Sequence, residues 1–177
     1  MQKSLVLMNI KVDTVISDIL GKSGKAIIEA ILDGNHDPKS LAQLADPRCK
    51  AGKETIERSL EGTWDVVHLF ELKQSYDLYK YIHTQIADCE AEMDRLLDEY
   101  TDGCGTDMQG YVATNKRVAK KNAISFDAEK HAFSMWGVNA MEIPGMSLGA
   151  LAVLMGELGS GFTEKFTSAK SFCKWCN

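Results

Sequence analysis

The chain is short of proline, of alternating β-branched residues and of net positive charge, and each shortage excludes something. Three prolines in 177 residues leave long stretches free to run as helix. Val, Ile and Thr at period two, the mark of half-buried strands, are nearly absent, so the fold class reads as all-α. No apolar run reaches the roughly 20 residues that a bilayer crossing needs, and the N-terminus lacks a signal-peptide layout. The expectation is a cytoplasmic protein with no membrane partner. The net charge of −5 removes any global footprint for nucleic acid, so such binding must rest on a local patch. Five cysteines (Cys49, Cys89, Cys104, Cys173 and Cys176) are odd in number and scattered, which suits a reducing compartment. Also missing are a Walker loop, a dinucleotide glycine fingerprint and a nucleophile elbow. Cys173-x-x-Cys176 has no second pair beside it. His36, His68, His83 and His131 are dispersed, with His83 read as a partly buried packing residue. No catalytic or metal constellation can be assembled from these residues.

What is present is a helical chain with 45% hydrophobic and 25% charged residues. Periodic apolar residues predict a helix over 1–20 and another over 24–32, an αα-hairpin with its corner at Gly21 to Gly24. Asp37-Pro38 predicts a capped helix start. Arg48, Lys50 and Lys53 form a small basic loop, open to phosphate contact or to plain solvation. A short helix over 54–60 follows. Then comes the longest element, 65–100, 36 residues without glycine or proline. Its apolar residues Ile82, Ile86, Cys89, Met93, Leu96 and Tyr100 alternate four and three apart, a heptad seam. Upstream, Leu69, Leu72, Tyr76 and Tyr79 form a stripe that slips by one residue before Ile82. A coiled coil that dimerises, one arm of an antiparallel hairpin, and a helix packed inside its own domain all fit this pattern. The acids Asp88, Glu90, Glu92, Asp94, Asp98 and Glu99 mostly lie off the seam and read as a solvated face.

Residues 101–125 read as a glycine-bearing linker with a basic run, Lys116, Arg117, Lys120 and Lys121, suited either to nucleic-acid phosphate or to solubility. A short helix over 126–137 carries Asp127 as cap and Phe133, Met135 and Trp136 as apolar payload. After it, a turn at Pro144-Gly145 with a small residue at Ser147 leads into an Ala/Gly-rich apolar helix. This is the outline of a helix-hairpin-helix. Gly145, Met146 and Ser147 are its candidate nucleic-acid-binding residues, because amides at a helix N-terminus can hold phosphate. A buried αα-hairpin with a glycine corner explains the same residues. Helical sequence continues to Trp175, and the chain reads as truncated there.

Several segments resemble, in order, a known family. They are Met1-Gln-Lys-Ser-Leu-Val-Leu-Met-Asn-Ile10, Val15-Ile-Ser-Asp-Ile-Leu-Gly21 with Ile28-Glu-Ala-Ile-Leu-Asp-Gly34, Asp46-Pro-Arg-Cys-Lys50, Leu60-Glu-Gly-Thr-Trp64 with His68-Leu-Phe-Glu-Leu-Lys73, Ile143-Pro-Gly145, Gly156-Glu-Leu-Gly159, and Phe166-Thr-Ser-Ala-Lys-Ser-Phe-Cys-Lys-Trp175. The chain resembles part of a DEDD-type insertion-sequence transposase, the Piv invertase-related family of bridge-RNA-guided recombinases. The resemblance implies DNA transposition and recombination in an intact parent, with DNA and guide RNA as partners and a homo-oligomer held by the 65–100 helix. It also implies a RuvC-like domain whose acids hold divalent metal, and a serine that attacks DNA. Those acids would precede Met1 and that serine would follow Asn177, so no acid or serine here inherits either role and no cofactor is expected in this chain. Ser147 and Leu151 stand where the family often has Gly and Ala. On this basis the chain is expected as a helical region over 1–100, a linker over 101–125, and the start of a transposase domain over 126–177. A stand-alone helical interaction or regulatory protein is the alternative.

Overall fold

A computed structural model describes residues 1–114 and 123–175, and the regular elements among them are all helical. The α-helices are α1 (Gln2–Leu7), α2 (Val12–Val15), α3 (Lys22–Leu32), α4 (Pro38–Gln43), α5 (Lys53–Ser59), α6 (Val66–Asp102), α7 (Ala128–Trp136), α8 (Leu148–Leu158), α9 (Phe162–Lys165) and α10 (Ala169–Trp175). The chain divides into two compact units, Met1–His83 and Thr84–Asn177, and the boundary falls inside α6. No helix among the described residues is long and apolar enough to cross a membrane.

The first unit departs from the sequence reading at its start. The helix expected over 1–20 is broken into α1 and α2. Asn9 closes α1 in the left-handed region at φ 58°, a conformation Asn tolerates better than most residues. Its amide donates to the Val6 carbonyl at 2.9 Å, and the Ile10 amide donates to the Leu5 carbonyl at 2.8 Å. These two bonds are the Schellman closure, and the apolar contact that accompanies it joins Leu5 and Ile10, both fully buried. The αα corner also moves. Gly21 precedes α3, but Gly24 lies within its first turn and is buried. A Cβ there would stand 2.1 Å from the Ile19 carbonyl oxygen, so Gly24 serves a close approach of two backbones rather than a turn.

Other local signals are met as expected. Asp37 caps α4 by accepting the Ser40 amide at 2.9 Å, with Pro38 at the first helical position. The unit's core gathers Leu5, Met8, Ile10, Ile27, Ile28, Ile31, Leu41, Ile56, Leu60 and Leu72, each at most 1% exposed. Fully burying a side chain of this size is worth roughly 1.5–3 kcal/mol. Tyr76 reaches this core from α6, and its hydroxyl donates to Glu29 Oε1 at 2.6 Å. Burial, and then the Glu29 carboxylate, push the Tyr76 phenol well above its ordinary value.

The second unit packs α7 and α8 around Ala128, Ala132, Met135, Met141, Leu151 and Met155, with Leu97 of α6 against them. Asp127 caps α7 by accepting the Lys130 amide at 3.1 Å, and Gly137 at φ 70° ends it. His131, 2% exposed, turns its ring to α6, where Nε2 lies 2.7 Å from Asp94 Oδ1. Glu129, also buried, accepts the Thr114 amide at 3.0 Å. The Tyr111 ring lies 5.4 Å from that of Phe133, so residues leading up to 114 run along α7.

Candidate nucleic-acid and assembly surfaces

A tight turn precedes α8, at the Pro144-Gly145 pair. The Met146 amide donates to the Ile143 carbonyl at 3.1 Å, with Pro144 and Gly145 between them and Gly145 at φ 86°. Pro in the second place and a positive-φ glycine in the third make a type II turn. Ser147 then caps α8: its Oγ accepts the Ala150 amide at 3.1 Å. The amides of Leu148 and Gly149 are the first two of the helix and have no carbonyl one turn back to bond. The three candidate residues therefore have distinct roles. Gly145 is exposed and turns the chain, Ser147 spends its hydroxyl on the cap, and Met146 is half-buried against the second core.

The surroundings of this turn are apolar. Ile143, Pro144, Gly145, Met146, Gly149, Ala150, Val153 and Leu154 line an open groove of about 600 Å³, and none carries a charge. Ile143 and Val153 are more than half exposed. The basic candidates Lys116, Arg117, Lys120 and Lys121 lie outside the described residues, as does Cys176. In the loop before α5, Arg48 is engaged by Asp46 through two bonds of 3.0 Å, and Lys53, the first residue of α5, donates to Gln43. The Arg48 guanidinium holds the Asp46 carboxyl well below the usual carboxylate range.

On α6, the slip in the apolar pattern separates two faces. Leu72 and Tyr76 are buried in the first unit, with Leu69 and Tyr79 packed beside them. A one-residue displacement rotates the next stripe by about 100° around a helix of 3.6 residues per turn. That second stripe is uncovered. Ile82, Ile86, Met93, Leu96 and Tyr100 are 42–49% exposed, and Cys89 is exposed too. Tyr100 ends it with its hydroxyl 2.7 Å from Ser160 Oγ. Of the acids beside the stripe, Asp88, Glu92, Asp98 and Glu99 are exposed, as a solvated face requires, and Glu90 and Asp94 are half-buried. Glu90 accepts the Ser125 amide at 3.2 Å, Asp94 holds His131, and Glu92 and Glu99 both engage Arg95. His83, expected as partly buried, is exposed, with the Tyr79 ring edge-on at 4.4 Å.

Sequence reasoning passed over His131 as one of four dispersed histidines. The available signal was its place among Ala128, Ala132 and Met135, which makes it a polar residue on the inner side of α7 and in need of a partner. Among the described residues, no group of three His, Cys, Asp or Glu is placed to hold a metal ion. No family model, curated protein or solved structure matches the chain.

Proposed function

We propose that this chain is a non-catalytic segment of a DEDD-type insertion-sequence transposase, serving assembly and nucleic-acid contact. Assembly runs through α6 as a homo-oligomer. Contact with DNA and guide RNA runs through the turn at Gly145 to Ser147 and the basic run Lys116, Arg117, Lys120 and Lys121. The observation that carries the reading is the uncovered stripe from Ile86 to Tyr100, whose heptad spacing suits a second helix. The amides of Leu148 and Gly149 support the phosphate contact, since an 11-residue helix presents its positive end there.

Two measurements test it. Light scattering over a concentration series should show a dimer or larger, reduced to monomer by Leu96→Asp; a strict monomer at high concentration overturns the assembly role. Gel-shift titration on DNA and RNA should show weak, salt-sensitive binding. Neutralising the four basic residues should lower the salt slope by about one per residue. Unchanged affinity overturns the contact role.

A second reading, a stand-alone helical interaction protein, is favoured by one observation. The groove beside Gly145 is mostly apolar and carries no charged side chain, and such a lining suits a protein side chain better than a phosphate. Absence of any gel shift alongside retained self-association would select it.

A further inference from the structure

We propose that the occupant of the α6 stripe is a second copy of this chain, lying parallel and in register, with Cys89 facing Cys89. The inference rests on the assembly role above and adds the partner's direction and the layers it forms. In a two-stranded coil of this kind, the residues at 86, 93 and 100 and those at 89 and 96 form successive layers. Their flanks are Gln85, Glu92 and Glu99 on one side, and Glu90 and Leu97 on the other.

The flanks decide the direction. In a parallel pair, a flanking residue meets the residue five positions further along its partner. Gln85 then meets Glu90, and Glu92 meets Leu97, so no two charges of one sign face each other. In an antiparallel pair, Ile86 would pack on Leu96 and Cys89 on Met93. The flanks would then bring Glu92 to Glu92 and Glu90 to Glu90 at the centre of the contact.

Such like pairs oppose association, and this stretch has little charge to offset them. Residues 84–102 hold seven acids and one base, Arg95, already shared between Glu92 and Glu99. Glu90 cannot swing far aside, because it also accepts the Ser125 amide. Of the two arrangements that cover the whole stripe from Ile86 to Leu96, the parallel one alone keeps like charges apart. In that direction the layers are Ile86 on Ile86, Cys89 on Cys89, Met93 on Met93 and Leu96 on Leu96, an isologous contact.

Disulfide trapping tests this in the full chain. Three single-thiol chains are prepared by replacing the other cysteines with serine: one keeping Cys89, one carrying Ile86→Cys and one carrying Leu96→Cys. Diamide is the oxidant, taking up two electrons and two protons as two thiols join. The expected result is a covalent dimer from Cys89 alone and from Ile86→Cys alone, with no mixed dimer when Ile86→Cys and Leu96→Cys chains are combined. A mixed dimer, with none from Ile86→Cys alone, is the antiparallel pattern and overturns the proposal. A dimer by light scattering with neither pattern places the contact elsewhere and also overturns it. A monomer throughout removes the assembly role itself. As a check that needs no substitution, isotopically heavy and light chains with all native cysteines are mixed and oxidised, and the Cys89-linked peptide pair is sought by mass spectrometry. Its absence from a dimer counts against the proposal.

Discussion

Replacing Gly24 with alanine sets two effects of opposite sign against each other. Alanine is favoured over glycine within a helix by about 1 kcal/mol. At Gly24 the added Cβ would stand 2.1 Å from the Ile19 carbonyl oxygen, 2.5 Å from its carbon and 2.7 Å from its Cα. These are backbone atoms and cannot rotate aside, so α3 or the preceding loop must move. Overpacking of this kind costs about 1–3 kcal/mol, and the rigid neighbour places Gly24→Ala near the upper end. The expected net loss is about 2 kcal/mol, or roughly 4–8 °C in Tm for a chain of this size. Gly156→Ala is the control. Gly156 also lies inside a helix, but its Cβ would meet nothing within 4 Å, so that variant should gain about 0.5–1 kcal/mol. Far-UV circular dichroism in thermal and urea titrations reads both. A Gly24→Ala chain that melts at or above the parent refutes the argument from close approach.

Two further outcomes are expected. Ser147→Ala should lower the urea-derived stability by about 1 kcal/mol and Ser147→Gly by only a few tenths, because the hydroxyl acts as a helix cap; equal losses would contradict that role. Tyr76→Phe should cost about 1–2 kcal/mol by removing a bond to a carboxylate. It should also change the alkaline limb. The phenol is raised in the folded state, so the fold binds that proton more tightly than the open chain does. Stability is then lost as pH climbs past the ordinary phenol value of about 10, and the Phe variant should show a flatter decline in urea midpoint over the same range.

The parts of the fold legible in the sequence were those fixed by local chemistry. Asp37-Pro38 announces a capped start because the carboxylate and the ring each satisfy a need of the first turn. The long run without glycine or proline announces α6. The break at Asn9 was hidden because asparagine can close a helix without the glycine that normally signals it. Gly24 was misplaced for a related reason: a glycine needed for a close approach and one needed for a turn look alike until the neighbouring backbone is seen. At the surfaces, periodicity revealed the stripe on α6 but not its exposure, since a buried and an uncovered seam share the same spacing. The glycine turn offered Gly145, Met146 and Ser147 as phosphate contacts through backbone amides; the cap that the Ser147 hydroxyl forms on the Ala150 amide is a separate use of the same residue. The tie between His131 and Asp94 spans 37 positions, and no local pattern announces it.

The slip between Tyr79 and Ile82 lets one helix answer to two kinds of selection. Positions 72 and 76 fill an interior, so drift there is checked by folding itself. Positions 86, 89, 93, 96 and 100 face outward, and a polar change at any of them leaves that interior untouched. Under the proposed self-association, a lineage that gives up pairing would see the outward set wear away to polar residues while Leu72 and Tyr76 persisted. The ratio of change between the two halves of α6 would then record whether a given descendant still meets its own kind.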